Sequence, residues 1–239
     1  MRRLGLTLRS SLWDMTPRDH HQSDRDFRRR QIVSAGVVVV GAIVLGFSLR
    51  IEPGNVWFYS ATLLLAAVWA AGAFTSGPLH LGRIGTPETP ERAAPRPVVQ
   101  PILIGAALAV IFVLGALVVR QVPWLAEQVA TVLRHAQSGN GALLLLVTVV
   151  NGIAEELFFR GAMYAAIRKH QVAITTIAYT VATLATGNVM LGFAAVVLGL
   201  IVGLQRRASG GILAPILTHL VWSVSMLYLL PAIFLGHAT

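Results

Sequence analysis

The chain contains no cysteine. That excludes disulfides, thiolate metal ligands and a cysteine nucleophile, and it leaves the compartment open. Charge is scarce as well. Only 12% of the 239 residues are Asp, Glu, Lys or Arg, and 55% are hydrophobic. An ordinary soluble domain carries about twice that share of charge, so the composition is that of a polytopic membrane protein. There is no internal repeat and no ladder of acids along the apolar stretches, which argues against a small transporter or channel with a proton relay. The formal net charge of +9 invites a nucleic-acid reading. The placement of the basic residues, in a tail and in connectors between apolar runs, speaks against it and for anionic lipid as a partner.

Apolar runs cover about 31–50, 56–76, 98–119, 141–167, 171–187, 189–205 and 211–235. A crossing helix needs roughly 20 apolar residues, and a shorter one can cross inside a bundle. The expected fold is therefore all-α: a bundle of about seven transmembrane helices, with the fifth and sixth divided at "TGN", Thr186 to Asn188. One more helix is expected over "VPWLAEQVATVLRHAQ". Leu125, Val129, Val132 and Leu133 recur there at helical spacing, as in an amphipathic helix lying at the membrane surface. The chain divides into a basic cytoplasmic tail (1–30), two N-terminal transmembrane helices (31–76), a flexible Pro-rich connector (77–97) and a helical core (98–236). Placing the N-terminus in the cytoplasm puts the tail arginines, Arg83, Arg92, Arg96, Arg168, Lys169, Arg206 and Arg207 inside. Arg50, Arg120 and Arg134 are then outside, as the positive-inside rule prefers. The expected location is the plasma (inner) membrane.

Two of the ten acidic residues, Glu155 and Glu156, fall inside an apolar run, and so does one of the seven histidines, His219. Ionisable groups inside a membrane usually face a cavity or a partner, and three on two helices suggest a shared site. Glu156 and Arg160 are four apart with the acid first, the favourable order for a helical ion pair. Glu155 points about 100° away round the helix, free to face another helix, with Asn151 one turn before it on the same face. One glutamate is then structural and the other is suited to act as a general base on water. Ser223 lies one turn after His219, where it could orient the imidazole or donate a hydrogen bond to a substrate carbonyl; Asn151 and Ser223 are candidates for positioning substrate or water. Taken singly, a Glu–Arg pair can do no more than lock helices together, and a lone transmembrane histidine often serves packing. Their co-occurrence favours chemistry. Gly199 and Gly203 fit close helix packing.

"EELFFRG" (155–161) resembles the EExxxR signature of the CPBP family, which includes the type II CAAX prenyl endopeptidases and the bacterial Abi proteins. "VVLGLIVGLQRRASGGILAPILTHLVWS" (196–223) resembles that family's final segment, a glycine-rich helix, a basic turn and a histidine-bearing helix in order. The resemblance spans about 100–230. It implies an intramembrane endopeptidase whose glutamate activates water to hydrolyse a peptide bond of a membrane-associated substrate. Glu155 would be the base, Glu156 and Arg160 its supporting pair, and His219 the late histidine, with Ser223 where the family usually has Asn. Family histidines hold either a divalent metal such as zinc or the water and oxyanion. A metal here would fall to Glu155 and His219. The family's middle FxxxH motif has no counterpart. "IAYTVATLATGNVMLGFAAV" (177–196) lacks histidine, and Thr183, Thr186 and Asn188 are its polar candidates, Thr186 and Asn188 for positioning water. The alternative implied by that gap is a catalytically weakened or inactive member that binds a membrane partner through the same cavity.

Overall fold

The computed structural model describes residues 9–15, 20–85, 94–137 and 140–235. The first long helix, α1, runs Asp24–Ser48 and starts seven residues earlier than the apolar run. The Ser23 hydroxyl accepts a hydrogen bond from the Asp26 amide (3.1 Å), and Asp24 and Asp26 occupy the first turn. A capping oxygen and acids at the positive end of the helix dipole stabilise a start within polar sequence. Then follow α2 (Trp57–Ser76), α3 (Val99–Val119), α4 (Pro123–Gln137), α5 (Gly141–Glu155), α6 (Gln171–Leu184), α7 (Val189–Ser209) and α8 (Leu213–Phe234). Among the described residues there is no strand.

Six helices are long and apolar enough to cross a membrane: α1, α2, α3, α5 with its continuation to Met163, α7 and α8. The expected fifth crossing, α6, has 14 residues, which is about 21 Å of helix against a hydrocarbon core of about 30 Å. It packs against α7 and α1 and leaves Ile174, Ile177, Val181 and Leu184 exposed along one face. The α6–α7 break falls where "TGN" predicts it. Gly187 takes φ +77°, and the Asn188 side chain accepts from the amides of Met190 and Leu191 at 3.0 and 3.1 Å. Helix α4 is amphipathic as expected: Leu133 is buried, Leu125, Val129 and Val132 are half-buried, and Glu127 and Arg134 pair in solvent at 2.7 Å. Its His135 Nε2 lies 2.8 Å from the Ile51 carbonyl, tying α4 to the turn after α1.

The tail and connector are partly outside the described residues. The first described flank of the connector, after α2, is held to the α7–α8 junction. The amides of Ile212 and Leu213 donate to the carbonyls of His80 and Leu81, and Arg83 N donates to Ser209 O. This works because Gly211 lies directly on the backbone of Leu81 and Gly82, where a Cβ would collide. The start of α8 is thereby bolted to the chain leaving α2.

Candidate active site

Helix α5 does not continue as a regular α-helix. From Glu156 to Met163 it becomes π-helical, a wider winding with i→i+5 hydrogen bonds that is rare and concentrated at functional sites. The cause lies in its surroundings. This stretch is packed by α1, α2, α6, α7 and α8, and five consecutive residues, Phe158 to Ala162, are buried. A helix with one apolar stripe meets one neighbour; this one is enclosed. Trp69 of α2, 1% exposed, packs on Phe158 and Phe159 with ring centroids 4.9 and 5.0 Å away, and Phe159 packs on Tyr179 of α6 at 5.0 Å.

The π segment carries Glu156 and Arg160, both 0% exposed. Their side chains meet at 3.1 Å, as the i,i+4 spacing predicts. The guanidinium also lies over the Tyr179 ring, 4.8 Å from its centroid, and α7 makes room for it at Gly199, where an added Cβ would meet Arg160 Nη2 at 3.3 Å and Thr176 at 3.0 Å. Arg206 Nε donates to the Arg160 carbonyl at 2.6 Å.

His219 comes in from α8, and its nearer partner is Glu156. Nδ1 lies 2.8 Å from Glu156 Oε1, the oxygen that also receives Arg160. A carboxylate against a guanidinium accepts, so Nδ1 carries the proton and Nε2 is left as an acceptor in the neutral ring. Nε2 lies 4.0 Å from Glu155 Oε2. The imidazole is thus oriented by Glu156. Ser223, expected to orient it, makes a 3.4 Å contact with the Leu220 carbonyl instead.

Glu155 keeps the freer position. Its side chain is 17% exposed against 0% for Glu156, and its Oε2 accepts a 2.7 Å hydrogen bond from the Tyr179 hydroxyl. Tyr179 is the site residue that sequence reasoning passed over. It lies in the histidine-free stretch and would have been found by asking which phenol there could reach α5. Asn151 sits one turn before Glu155; its Nδ2 donates to the Val147 carbonyl (2.9 Å), and its Oδ1 is buried without a hydrogen-bond partner. Thr186 and Asn188 are elsewhere. They lie about two turns or more beyond Tyr179, at the α6–α7 turn, where Thr186 accepts from the Asn188 amide and Asn188 Nδ2 donates to the Gln128 carbonyl of α4 at 2.6 Å. They close a turn and tie down α4.

The donor set can be tested against zinc. Glu156 Oε1 is engaged by Arg160 and His219 and its Oε2 is enclosed without a partner, so the donors that face one another are Glu155 Oε2 and His219 Nε2. Ligands at about 2.0–2.1 Å in a tetrahedron stand roughly 3.3 Å apart, and a catalytic zinc takes three protein ligands. Here two donors stand 4.0 Å apart, and among the described residues no three His, Cys, Asp or Glu side chains are grouped to hold a metal. The residues do not fit a three-ligand zinc site.

Residues 137–225 match the family model for type II CAAX prenyl endopeptidase, Rce1-like. The matched stretch runs from the end of α4 into α8 and contains every member of the cluster: Glu155, Glu156, Arg160, Tyr179 and His219. No curated protein and no solved structure matches the chain. The chain is an integral membrane protein whose core segment has the pattern of a CAAX-type intramembrane protease.

Proposed function

We propose that the protein is an intramembrane endopeptidase that hydrolyses a peptide bond of a membrane-associated substrate, with Glu155 as general base. The observation that carries this reading is the 4.0 Å between Glu155 Oε2 and His219 Nε2. It is too long for a direct hydrogen bond and suits one bridging water. With Nδ1–H committed to Glu156, both flanking atoms are acceptors. A water there donates to each and presents a lone pair to a substrate carbonyl. As its oxygen attacks the carbonyl carbon, one proton passes to Glu155. Protonated Glu155 then returns that proton to the amide nitrogen as the C–N bond breaks, leaving a carboxylic acid, which keeps the water's second proton, and an amine. Glu156 and Arg160 are positioning residues that act through the imidazole. The Tyr179 hydroxyl fixes the base, and Asn151 Oδ1 is an acceptor for a substrate backbone N–H one turn away. The basic end of the bundle, by the positive-inside rule, faces the cytoplasm.

The test is cleavage of a membrane-peptide library by purified protein in lipid, read by mass spectrometry, wild type against Glu155→Gln. The expected result is cleavage that the substitution abolishes while the helical fold survives. Equal cleavage by both would remove Glu155 from the role of base. A second reading, a member that binds a membrane partner without cutting it, is favoured by the absent middle histidine. No cleavage by wild type, together with a co-purifying partner unaffected by Glu155→Gln, would select it.

A further inference from the structure

A second polar site lies at the other side of the π segment, where the basic end of the bundle closes. A cavity of about 360 Å³ opens there between the start of α1, the chain leaving α2, and the loop between the π segment and α6. Arg30, Arg168, Arg206, His20 and His80 line it. Its one acid is Asp24, already paired with Arg168 at 3.2 Å and 99% exposed. The two imidazoles stack at 3.8 Å.

Arg30 decides what the cavity is for. It is 3% exposed, in the second turn of α1. One guanidinium nitrogen donates to the Pro78 carbonyl at 3.2 Å, and Nε is buried with no partner. Among the described residues no carboxylate forms an ion pair with it. Asp26, one turn earlier on α1, acts on it electrostatically and forms no ion pair with it; a buried cation without a directly paired counter-charge is costly, and folds retain one when something anionic supplies the balance. Arginine presents a planar fork that matches a phosphate or carboxylate in two contacts. Ile32, two residues on, is 67% exposed on an apolar helix face, so Arg30 stands at the depth where hydrocarbon gives way to headgroups.

We propose that this cavity binds a phosphate-bearing anion, with Arg30 as the buried anchor and Arg168 at the mouth. The site does not depend on Glu155 or on hydrolysis. Position favours a phospholipid headgroup, and a free phosphate shares the chemistry. The experiment uses the full chain in neutral detergent, titrated with short-chain phosphatidylglycerol, short-chain phosphatidylcholine and inorganic phosphate at constant ionic strength, with affinity read by thermophoresis. Wild type, Arg30→Gln, Arg30→Lys, Arg168→Gln and, at the opposite end, Arg50→Gln are compared. The expected result is saturable binding of phosphatidylglycerol, weakened tenfold or more by Arg30→Gln, less by Arg30→Lys and Arg168→Gln, and unchanged by Arg50→Gln. If inorganic phosphate binds with the same dependence and displaces the lipid, the site takes a free phosphate; if it does not, the lipid headgroup is the ligand. Should Arg30→Gln fail to fold, Arg30→Lys and Arg168→Gln carry the comparison. Binding absent from wild type, or indifferent to both positions, would overturn the proposal.

Discussion

Two arginine–carboxylate pairs lie eight residues apart along one stretch of chain. Arg160 meets Glu156 at 3.1 Å and Arg168 meets Asp24 at 3.2 Å. The distances are alike and the surroundings are opposite. The first pair is fully enclosed by helices. The second has 70% and 99% of its side chains in solvent. In water such a pair is screened and contributes about 1 kcal/mol or less. Inside, desolvation makes each charge depend on the other, so loss of one partner strands the other. The separation of N and O therefore says little about what a pair does; the medium decides. The interior pair can hold a histidine in one tautomer. The rim pair can be opened by an incoming anion at small cost.

The sharpest way to break the contrast is at the freer glutamate. Glu155→Gln should lower hydrolysis by about 10²–10⁴-fold, the range for loss of a general base, with unchanged circular dichroism; a rate within a few-fold of wild type would place the chemistry elsewhere. Next comes the interior pair. Arg160→Leu leaves Glu156 buried without its cation and should cost about 3–5 kcal/mol, seen as a large fall in the thermal midpoint in detergent. A small fall would mean that the enclosed pair behaves like the rim pair. Tyr179→Phe removes one charged-acceptor hydrogen bond, worth about 1.5–3 kcal/mol. The bond orients the base toward water, so its loss should lower kcat about tenfold or more with KM nearly constant; a change in KM alone would remove Tyr179 from that role. The smallest effect is expected at the rim. Arg168→Gln should change stability by less than about 1 kcal/mol, and that difference should shrink in high salt. A larger, salt-insensitive loss would show that the solvent-facing pair is not screened.

Much of this was legible in local spacing. The Glu156–Arg160 contact follows from i,i+4 geometry on any helix, and the amphipathic face of α4 follows from its apolar period. The α6–α7 break follows from Gly187 and a capping Asn188. Other expectations came out differently. Asn188 and Thr186 are polar residues in an apolar stretch, which suggested water, but a side chain at a helix N-terminus already has work in satisfying backbone amides. Ser223 yielded the imidazole to Glu156. The first flank of the connector is held by backbone hydrogen bonds to the α7–α8 junction, which side-chain composition does not reveal. A 14-residue α6 also cannot be told from a full crossing by hydropathy, because a short helix with an exposed apolar face and a full membrane span look alike in sequence.

What the sequence determined by itself was an all-helical membrane chain with two acids and one histidine inside its apolar runs, and the pairing of Glu156 with Arg160, since those features depend on periods of a few residues along one helix. The tertiary structure alone decided that His219, 63 residues on, reaches Glu156 and turns Nε2 toward Glu155. It also placed Tyr179 on Glu155, wound the enclosed end of α5 into a π-helix, and left Arg30 buried at the edge of a cavity with no carboxylate paired to it among the described residues. Those outcomes depend on how separate helices pack against one another, and no local pattern records which faces will meet.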